Sequence, residues 1–96
     1  MLKVALLYGS PAARNKAFKQ DCNHYAGDEE VFCHNNGSGK YIVIGDFEFR
    51  YIFASTPDRA RGQKFYDVIV KDIYVDDATE QAFRQRIDKT EERIVQ

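Results

Sequence analysis

An apolar run near the start of the chain, residues 3–8, constrains the fold more than any other feature. After its first lysine the run is hydrophobic without alternation, which is typical of a strand buried on both faces of a sheet. Gly9 ends the run, and Ser10 followed by Pro11 is a common start of an α-helix. A buried strand that passes directly into a helix predicts an α/β fold.

The middle of the chain predicts antiparallel strands. Residues 40–44 and 47–54 are strand-like runs, and Gly45-Asp46 between them is a two-residue hairpin signal. Alternate side chains of the second run share one face of the sheet. The aromatic row on that face is Phe47, Phe49, Tyr51 and Phe53.

The last third of the chain predicts a helical turn at 57–61, a buried strand at 66–70 and a helix that starts at Asp77 with Glu80 in a capping box. Residues 1–96 therefore predict one small α/β domain with a mixed sheet, a central hairpin and two main helices, in two or three layers. We expect the first and last apolar strands to be central. The apolar stripe of the last helix would be Phe83, Ile87 and Ile94.

Composition limits the function classes. A formal net charge of −1 over 96 residues argues against a protein that coats nucleic acid, although a local basic patch is compatible with it. We expect no membrane span, because no apolar run approaches the necessary length. Two cysteines make no disulfide framework, so the expected location is the reducing cytoplasm. The oligomeric state is left open.

Two segments have the residue types of anion sites. The run Gly37-Ser38-Gly39-Lys40 resembles the end of a phosphate-binding loop, but Lys40 starts a strand instead of a helix, so we interpret the run as a hairpin turn and predict no ATP hydrolysis. Gly9 and Ser10 are the better candidate, because free amides at a strand-to-helix junction bind anions. The alternative for Ser10 is a helix cap without a ligand.

Two groups of residues raise the question of a metal. The first group consists of cysteines and histidines, and zinc is disfavoured there because their spacing fits no common zinc-binding pattern. The second group consists of aspartates, for which helix capping or solvation is the favoured interpretation. We therefore expect no metal, no cofactor and no catalytic residue. The two groups are Cys22, His24, Cys33 and His34, and Asp67, Asp72, Asp76 and Asp77.

The turn before the second apolar strand holds the predicted partner-binding residues, Arg59, Arg61 and Lys64. With Lys40 and Arg50 they would form a patch that contacts phosphates. The aromatic row would be able to stack bases, but the core face of a half-buried strand is the favoured interpretation.

The same region carries a resemblance to a known family. Thr56-Pro57-x-Arg59-x-Arg61-Gly62 and the strand that ends at Asp72 resemble the stretch before and through the Walker B strand of helicases and phage terminase ATPases. The opening strand and helix are similar to an early unit of those proteins. The phosphate-binding loop is absent and Asp72 is followed by Ile73 instead of glutamate, so the resemblance implies the architecture without hydrolysis.

The resulting hypothesis is a non-catalytic binding protein with a macromolecular partner, in the first place a protein. The resemblance implies an accessory factor of a phage or mobile element that inhibits or adapts a host or defence complex. One alternative is a nucleic-acid-binding module that uses the basic patch. Another is a small enzyme with a phosphate ligand or a metal, centred on Gly9, Ser10 and Asp72.

Overall fold

The computed structural model describes residues 1–37 and 39–89. It contains five strands, two α-helices and one short 3₁₀ helix. In chain order these are β1 (Leu2–Tyr8), α1 (Pro11–His24), β2 (Val31–Asn36), β3 (Gly39–Ile44), β4 (Phe47–Phe53), the 3₁₀ helix (Pro57–Ala60), β5 (Asp67–Val70) and α2 (Asp77–Arg84).

The five strands form one mixed sheet in the order β2-β3-β4-β1-β5. β2, β3 and β4 are antiparallel neighbours, and β1 runs parallel to both β4 and β5. Gly45 makes the tight turn between β3 and β4 with a φ of 60°, a conformation that glycine adopts without strain. The predicted α/β class, mixed sheet, central hairpin and two helices are confirmed.

A separate hydrophobic cluster packs on each face of the sheet. On one face α1 lies over β1 and β4, with Phe18 of α1 packed against Leu6, Ile42 and Tyr51. On the other face α2 and the 3₁₀ helix pack over β1 and β5 around a second cluster. Its largest fully buried side chains are Leu7, Phe65 and Phe83. β1 is buried from both sides, as its apolar run predicts.

Two details differ from the sequence-based expectations. The last apolar strand, β5, is an edge strand, so the prediction that it is central is wrong. Asp76, not Asp77, caps α2 by accepting a hydrogen bond from the Thr79 amide at 2.8 Å, and the helix ends at Arg84. Ile87 therefore lies beyond the helix and forms a parallel bridge with Phe65. Ile94 lies outside the described residues.

Neither α-helix of the described part of the chain is long and apolar enough to cross a membrane.

Candidate functional site

The sheet has a topological switch point between β1 and β4. The chain leaves the carboxyl end of β1 into α1 on one face. It leaves the carboxyl end of β4 into the 3₁₀ helix, whose Ala60 is buried in the cluster on the opposite face. β1 and β4 are parallel neighbours, so their carboxyl ends lie side by side. The chain segments that leave these two ends go to opposite faces of the sheet, and a crevice remains between them. Open α/β sheets bind their ligands in such a crevice.

A cleft of about 400 Å³ lies on the β4 side of this crevice. Residues 51–53 at the end of β4 and residues 39–40 at the start of β3 contribute to its lining, with α1 on one side and the 3₁₀ helix on the other. Of the described residues that line it, none is a carboxylate and four are cations. We call this the basic cleft, and its cations are Arg14, Lys40, Arg50 and Arg59.

Arg14 reaches the basic cleft from the first turn of α1. Ser10 is the N-cap of this helix, and its hydroxyl oxygen accepts a hydrogen bond from the Ala13 amide at 3.1 Å. A cation near a helix N-terminus interacts unfavourably with the helix dipole. Helix stability therefore does not account for an arginine at this position.

Lys40 and Arg59 approach the cleft from opposite faces of the sheet. Lys40 Nζ donates to the side-chain oxygen of Asn35 at 2.7 Å and lies 5.6 Å from the centre of the Phe18 ring. Arg59 Nε donates to the Ser55 hydroxyl at 3.3 Å. Within the part of the chain that the structure describes, Arg14, Lys40 and Arg59 form no ion pair with a carboxylate. Within the described residues, no carboxylate therefore compensates their charges.

Arg50 is held in place by its neighbours on the face opposite α1. Its Nε lies 2.6 Å from a carboxylate oxygen of Glu48, and its guanidinium lies 4.4 Å from the centre of the Tyr41 ring. Tyr41 in turn stacks on His34, with 4.6 Å between the ring centres. A Cβ on Gly39 would lie 3.2 Å from an Arg50 nitrogen, so glycine leaves room for the guanidinium. The orientation of Arg50 is therefore set before a ligand arrives.

The β1 side of the crevice is closed by the turn after β5. The Gly9 amide donates to one carboxylate oxygen of Asp72 at 3.1 Å, and the Tyr74 amide donates to the other at 2.9 Å. A Cβ on Gly9 would lie 2.6 Å from the Cβ of Tyr74, so only glycine allows this close approach. Anion binding at Gly9 and Ser10 stays a prediction, and it would require Asp72 to release the Gly9 amide.

The three predicted partner-binding cations, Arg59, Arg61 and Lys64, do not share one surface. Arg59 lines the basic cleft, whereas Lys64 lies beside residues 85–88 in a separate depression. A guanidinium nitrogen of Arg61 lies 3.6 Å from a carboxylate oxygen of Asp58. Lys64 Nζ lies 3.8 Å from a carboxylate oxygen of Asp88. Their role in binding stays a prediction.

The Cys/His group is separated by the pleat of β2. Cys33 lies opposite Ile42 on the α1 face, whereas His34 stacks on Tyr41 on the other face. Asp72 accepts hydrogen bonds from the Gly9 and Tyr74 amides, and Asp76 accepts one from the Thr79 amide. Among residues 1–37 and 39–89, the structure contains no cluster of three or more such side chains with a metal-binding arrangement.

A buried polar group lies under α1. The Tyr51 hydroxyl donates to the Asp21 carboxylate, and the Tyr51 ring stacks on Tyr8 with 6.1 Å between centres. Burial and then the Asp21 charge raise the pKa of Tyr8 to about 12. Burial and then the hydrogen bond to Asp21 raise the pKa of Tyr51 well above its ordinary value. Both phenols stay protonated at neutral pH, which suits packing better than proton transfer.

Comparisons with protein-family models, with curated proteins and with solved structures found no match to this chain. The candidate function therefore rests on the geometry of the basic cleft.

Sequence reasoning included Lys40, Arg50 and Arg59 among the patch residues but missed Arg14. The signal was present, because Arg14 is a cation in the first turn of a helix that has no acidic residue there. The dipole favours acidic residues at that end, so an arginine there indicates another role.

Proposed function

We propose that this chain is a non-catalytic binding protein that holds a single strand of nucleic acid by its phosphate groups in the basic cleft. The observation that carries the proposal is the lining of the cleft, with four cations and, among the described residues, no carboxylate. Guanidinium groups match phosphate oxygens by paired hydrogen bonds, and lysine adds a point charge. The net charge of −1 makes this a local site, not a generally basic surface.

The shape of the site favours a strand over a duplex. A cleft of about 400 Å³ between a helix and a helical turn has the volume of a small-ligand site, which suits one phosphodiester chain better than a duplex, and four cations line it. Arg14 and Lys40 lie toward the α1 face, whereas Arg50 and Arg59 lie toward the other. A ligand with several consecutive phosphates would contact both pairs of cations.

An aromatic surface lies on the same sheet face as Arg50. Phe32 is 57% exposed and shares a face of β2 with His34, which begins the His34–Tyr41–Arg50 row. Exposed aromatic side chains stack on bases of single strands without strong sequence preference. A strand whose phosphates occupy the basic cleft would place bases toward this surface.

The absence of catalysis is part of the proposal. Lys40 is the second residue of β3, a strand of an antiparallel hairpin, and does not stand between a strand and a helix, as the lysine of a phosphate-binding loop does. Steady-state phosphate release in the presence of ATP should equal the background. Turnover that disappears in Lys40→Ala would contradict this part.

The binding test compares two double variants that remove the same charge. Arg14→Gln/Lys40→Gln changes the cleft, and Arg61→Gln/Lys64→Gln changes two exposed cations outside it. Fluorescence anisotropy of a labelled single-stranded oligonucleotide should show weaker binding for the cleft variant only. Equal losses would refute a role specific to the cleft, and a loss confined to the control would move the site to Arg61 and Lys64.

A protein partner is the second candidate, favoured by the turn after β5. Ile73 is 89% exposed and Tyr74 is 80% exposed, although Asp72 and the buried Val75 hold the turn in place. Rigid exposed apolar residues are typical of protein contacts. In this case the chain would act as the sequence resemblance implies, as an accessory or inhibitory factor of a phage or mobile-element system.

The two candidates give different results with one further variant. Ile73→Ser/Tyr74→Ser should leave oligonucleotide binding unchanged if the cleft is the site. It should abolish capture of a protein partner if the turn is the contact. For both candidates we propose a reducing cytoplasmic location, where the two cysteines stay free thiols unless an oxidant reaches them.

A further inference from the structure

Cys33 faces α1 from the edge of the sheet. It lies on β2 directly opposite Ile42 of β3, and cross-strand partners point to the same face. Ile42 is buried in the cluster beneath α1. The Cys33 side chain is therefore directed to the α1 side, although β2 is an edge strand and Cys33 itself is exposed.

Cys22 lies on the helix that covers this side of the sheet. It lies near the carboxyl end of α1 and packs against the cluster that contains Ile42. Its thiol and the Cys33 thiol therefore lie on the same side of the sheet. Burial and then this neighbouring thiol raise the pKa of Cys22 to about 12. Cys22 therefore remains protonated at neutral pH, whereas Cys33 on the same side of the sheet is exposed.

We propose that Cys22 and Cys33 form an oxidative modification site, a dithiol that peroxide or a small disulfide oxidant converts into an intramolecular disulfide between α1 and β2. A disulfide requires two cysteines whose side chains can approach each other, and the fold places both on the α1 side of the sheet, next to the cluster that contains Ile42. The inference is independent of the nucleic-acid proposal.

The chemistry assigns different roles to the two thiols. With hydrogen peroxide, the exposed Cys33 thiolate attacks one oxygen, the O–O bond breaks, and Cys33 sulfenic acid and hydroxide form. Cys22 sulfur then attacks the Cys33 sulfur, its proton is lost, and the hydroxyl group leaves as water. In total, two thiols and one peroxide give one disulfide and two waters. With oxidised glutathione, two thiol–disulfide exchanges release two glutathiones.

The disulfide would tie an edge strand to the core. β2 pairs with β3 alone, and its exposed edge has no strand partner among the described residues. Asn35 of β2 accepts the hydrogen bond that positions Lys40 at the basic cleft. Oxidation would therefore fix β2, whose Asn35 positions Lys40, to α1. Reduction would break this link between β2 and α1.

The test uses the full chain equilibrated with reduced and oxidised glutathione. After acid quenching, the remaining thiols are alkylated in denaturant and the intact mass is measured. The oxidised chain should be a monomer about 2 Da lighter that accepts no alkyl group, since two hydrogens are lost. Cys22→Ser and Cys33→Ser should each give a glutathione adduct or a dimer instead, and they serve as controls for each other.

A comparison with urea-unfolded chain separates an effect of the fold from mere closeness in sequence. The native chain should need a lower ratio of oxidised to reduced glutathione for half-formation of the disulfide than the unfolded chain. An equal or higher requirement would overturn the proposal. So would a native chain that yields only intermolecular dimers, or one in which Cys33 oxidises to the sulfinic acid while Cys22 remains alkylatable.

Discussion

Removal of positive charge from the basic cleft should change the salt dependence of binding in a predictable way. Each single-strand phosphate neutralised by a cation contributes a slope of about −0.7 to the logarithm of affinity against the logarithm of salt concentration. Arg14, Lys40 and Arg59 have no carboxylate partner among the described residues, and Arg50 is partly compensated by Glu48. Three to four contacts therefore predict a slope of about −2.1 to −2.8.

That slope corresponds to a loss of affinity of about 20- to 50-fold when salt is raised from about 50 to 200 mM. The Arg14→Gln/Lys40→Gln variant removes two contacts, so its slope should fall to about −0.7 to −1.4 and its loss to about 3- to 7-fold. Anisotropy titrations of a labelled oligonucleotide at a series of salt concentrations give both slopes.

The control for this experiment is Arg61→Gln/Lys64→Gln, which removes the same charge from paired residues outside the cleft. Its slope should equal that of the wild type. The reasoning is refuted if the cleft variant keeps the wild-type slope, if the control loses as much, or if wild-type binding does not depend on salt.

Three further predictions concern stability. Phe83→Ala should lower the free energy of unfolding by about 3–5 kcal/mol in urea denaturation, because Phe83 is fully buried. Phe49→Ala, at a half-buried position, should lower this free energy by less. Equal losses for the two variants would contradict the difference in burial. Gly9→Ala should lower the melting temperature, because the new Cβ would lie 2.6 Å from the Cβ of Tyr74, and an unchanged melt would show that the turn can move away. The contribution of Tyr51 to the free energy of unfolding should be constant from neutral pH up to the ordinary tyrosine pKa of about 10 and fall as pH rises above it. The raised pKa of Tyr51 keeps its proton bound in the folded state while the unfolded state loses it. Alkaline unfolding followed by phenolate absorbance measures this fall, which should be smaller in Tyr51→Phe.

The local features of the fold could be predicted because each has a local physical cause. Gly45-Asp46 specifies a tight hairpin, and the strict alternation of the aromatic row places Phe49 and Tyr51 on one face. Ser10 caps α1 because its hydroxyl oxygen accepts from the Ala13 amide, which has no acceptor within the helix.

The position of β5 could not be predicted in the same way. Its apolar sequence is typical of a central strand, yet it lies at the edge. Val68 is covered by the α2 side, whereas Ile69 on the opposite face is 42% exposed because α1 lies over β1 and β4 instead. Where the helices lie over the sheet depends on contacts distant in sequence, which a hydrophobic run does not encode.

The candidate site was predicted in part for the same reason. Arg50 and Lys40 are on adjacent strands, so their proximity follows from the hairpin. Arg14 joins them because α1 crosses over β4, whereas Arg61, which follows the 3₁₀ helix, does not line the cleft. Sequence spacing therefore favoured Arg61 over Arg14 as a site residue, whereas in the fold Arg14 lines the cleft and Arg61 does not.

The two halves of the crevice differ in charge, and this difference determines where an anionic ligand can bind. On the β1 side the Asp72 carboxylate accepts the Gly9 hydrogen bond that a bound phosphate would otherwise accept. On the β4 side three cations have no carboxylate partner among the described residues. A phosphate approaching β1 must displace a partly buried hydrogen bond and meets a like charge, whereas the same group near β4 meets a cleft lined by four cations and, among the described residues, no carboxylate. A ligand is thereby directed to the end of β4, away from the strand-to-helix junction at which nucleotide hydrolases hold their phosphates.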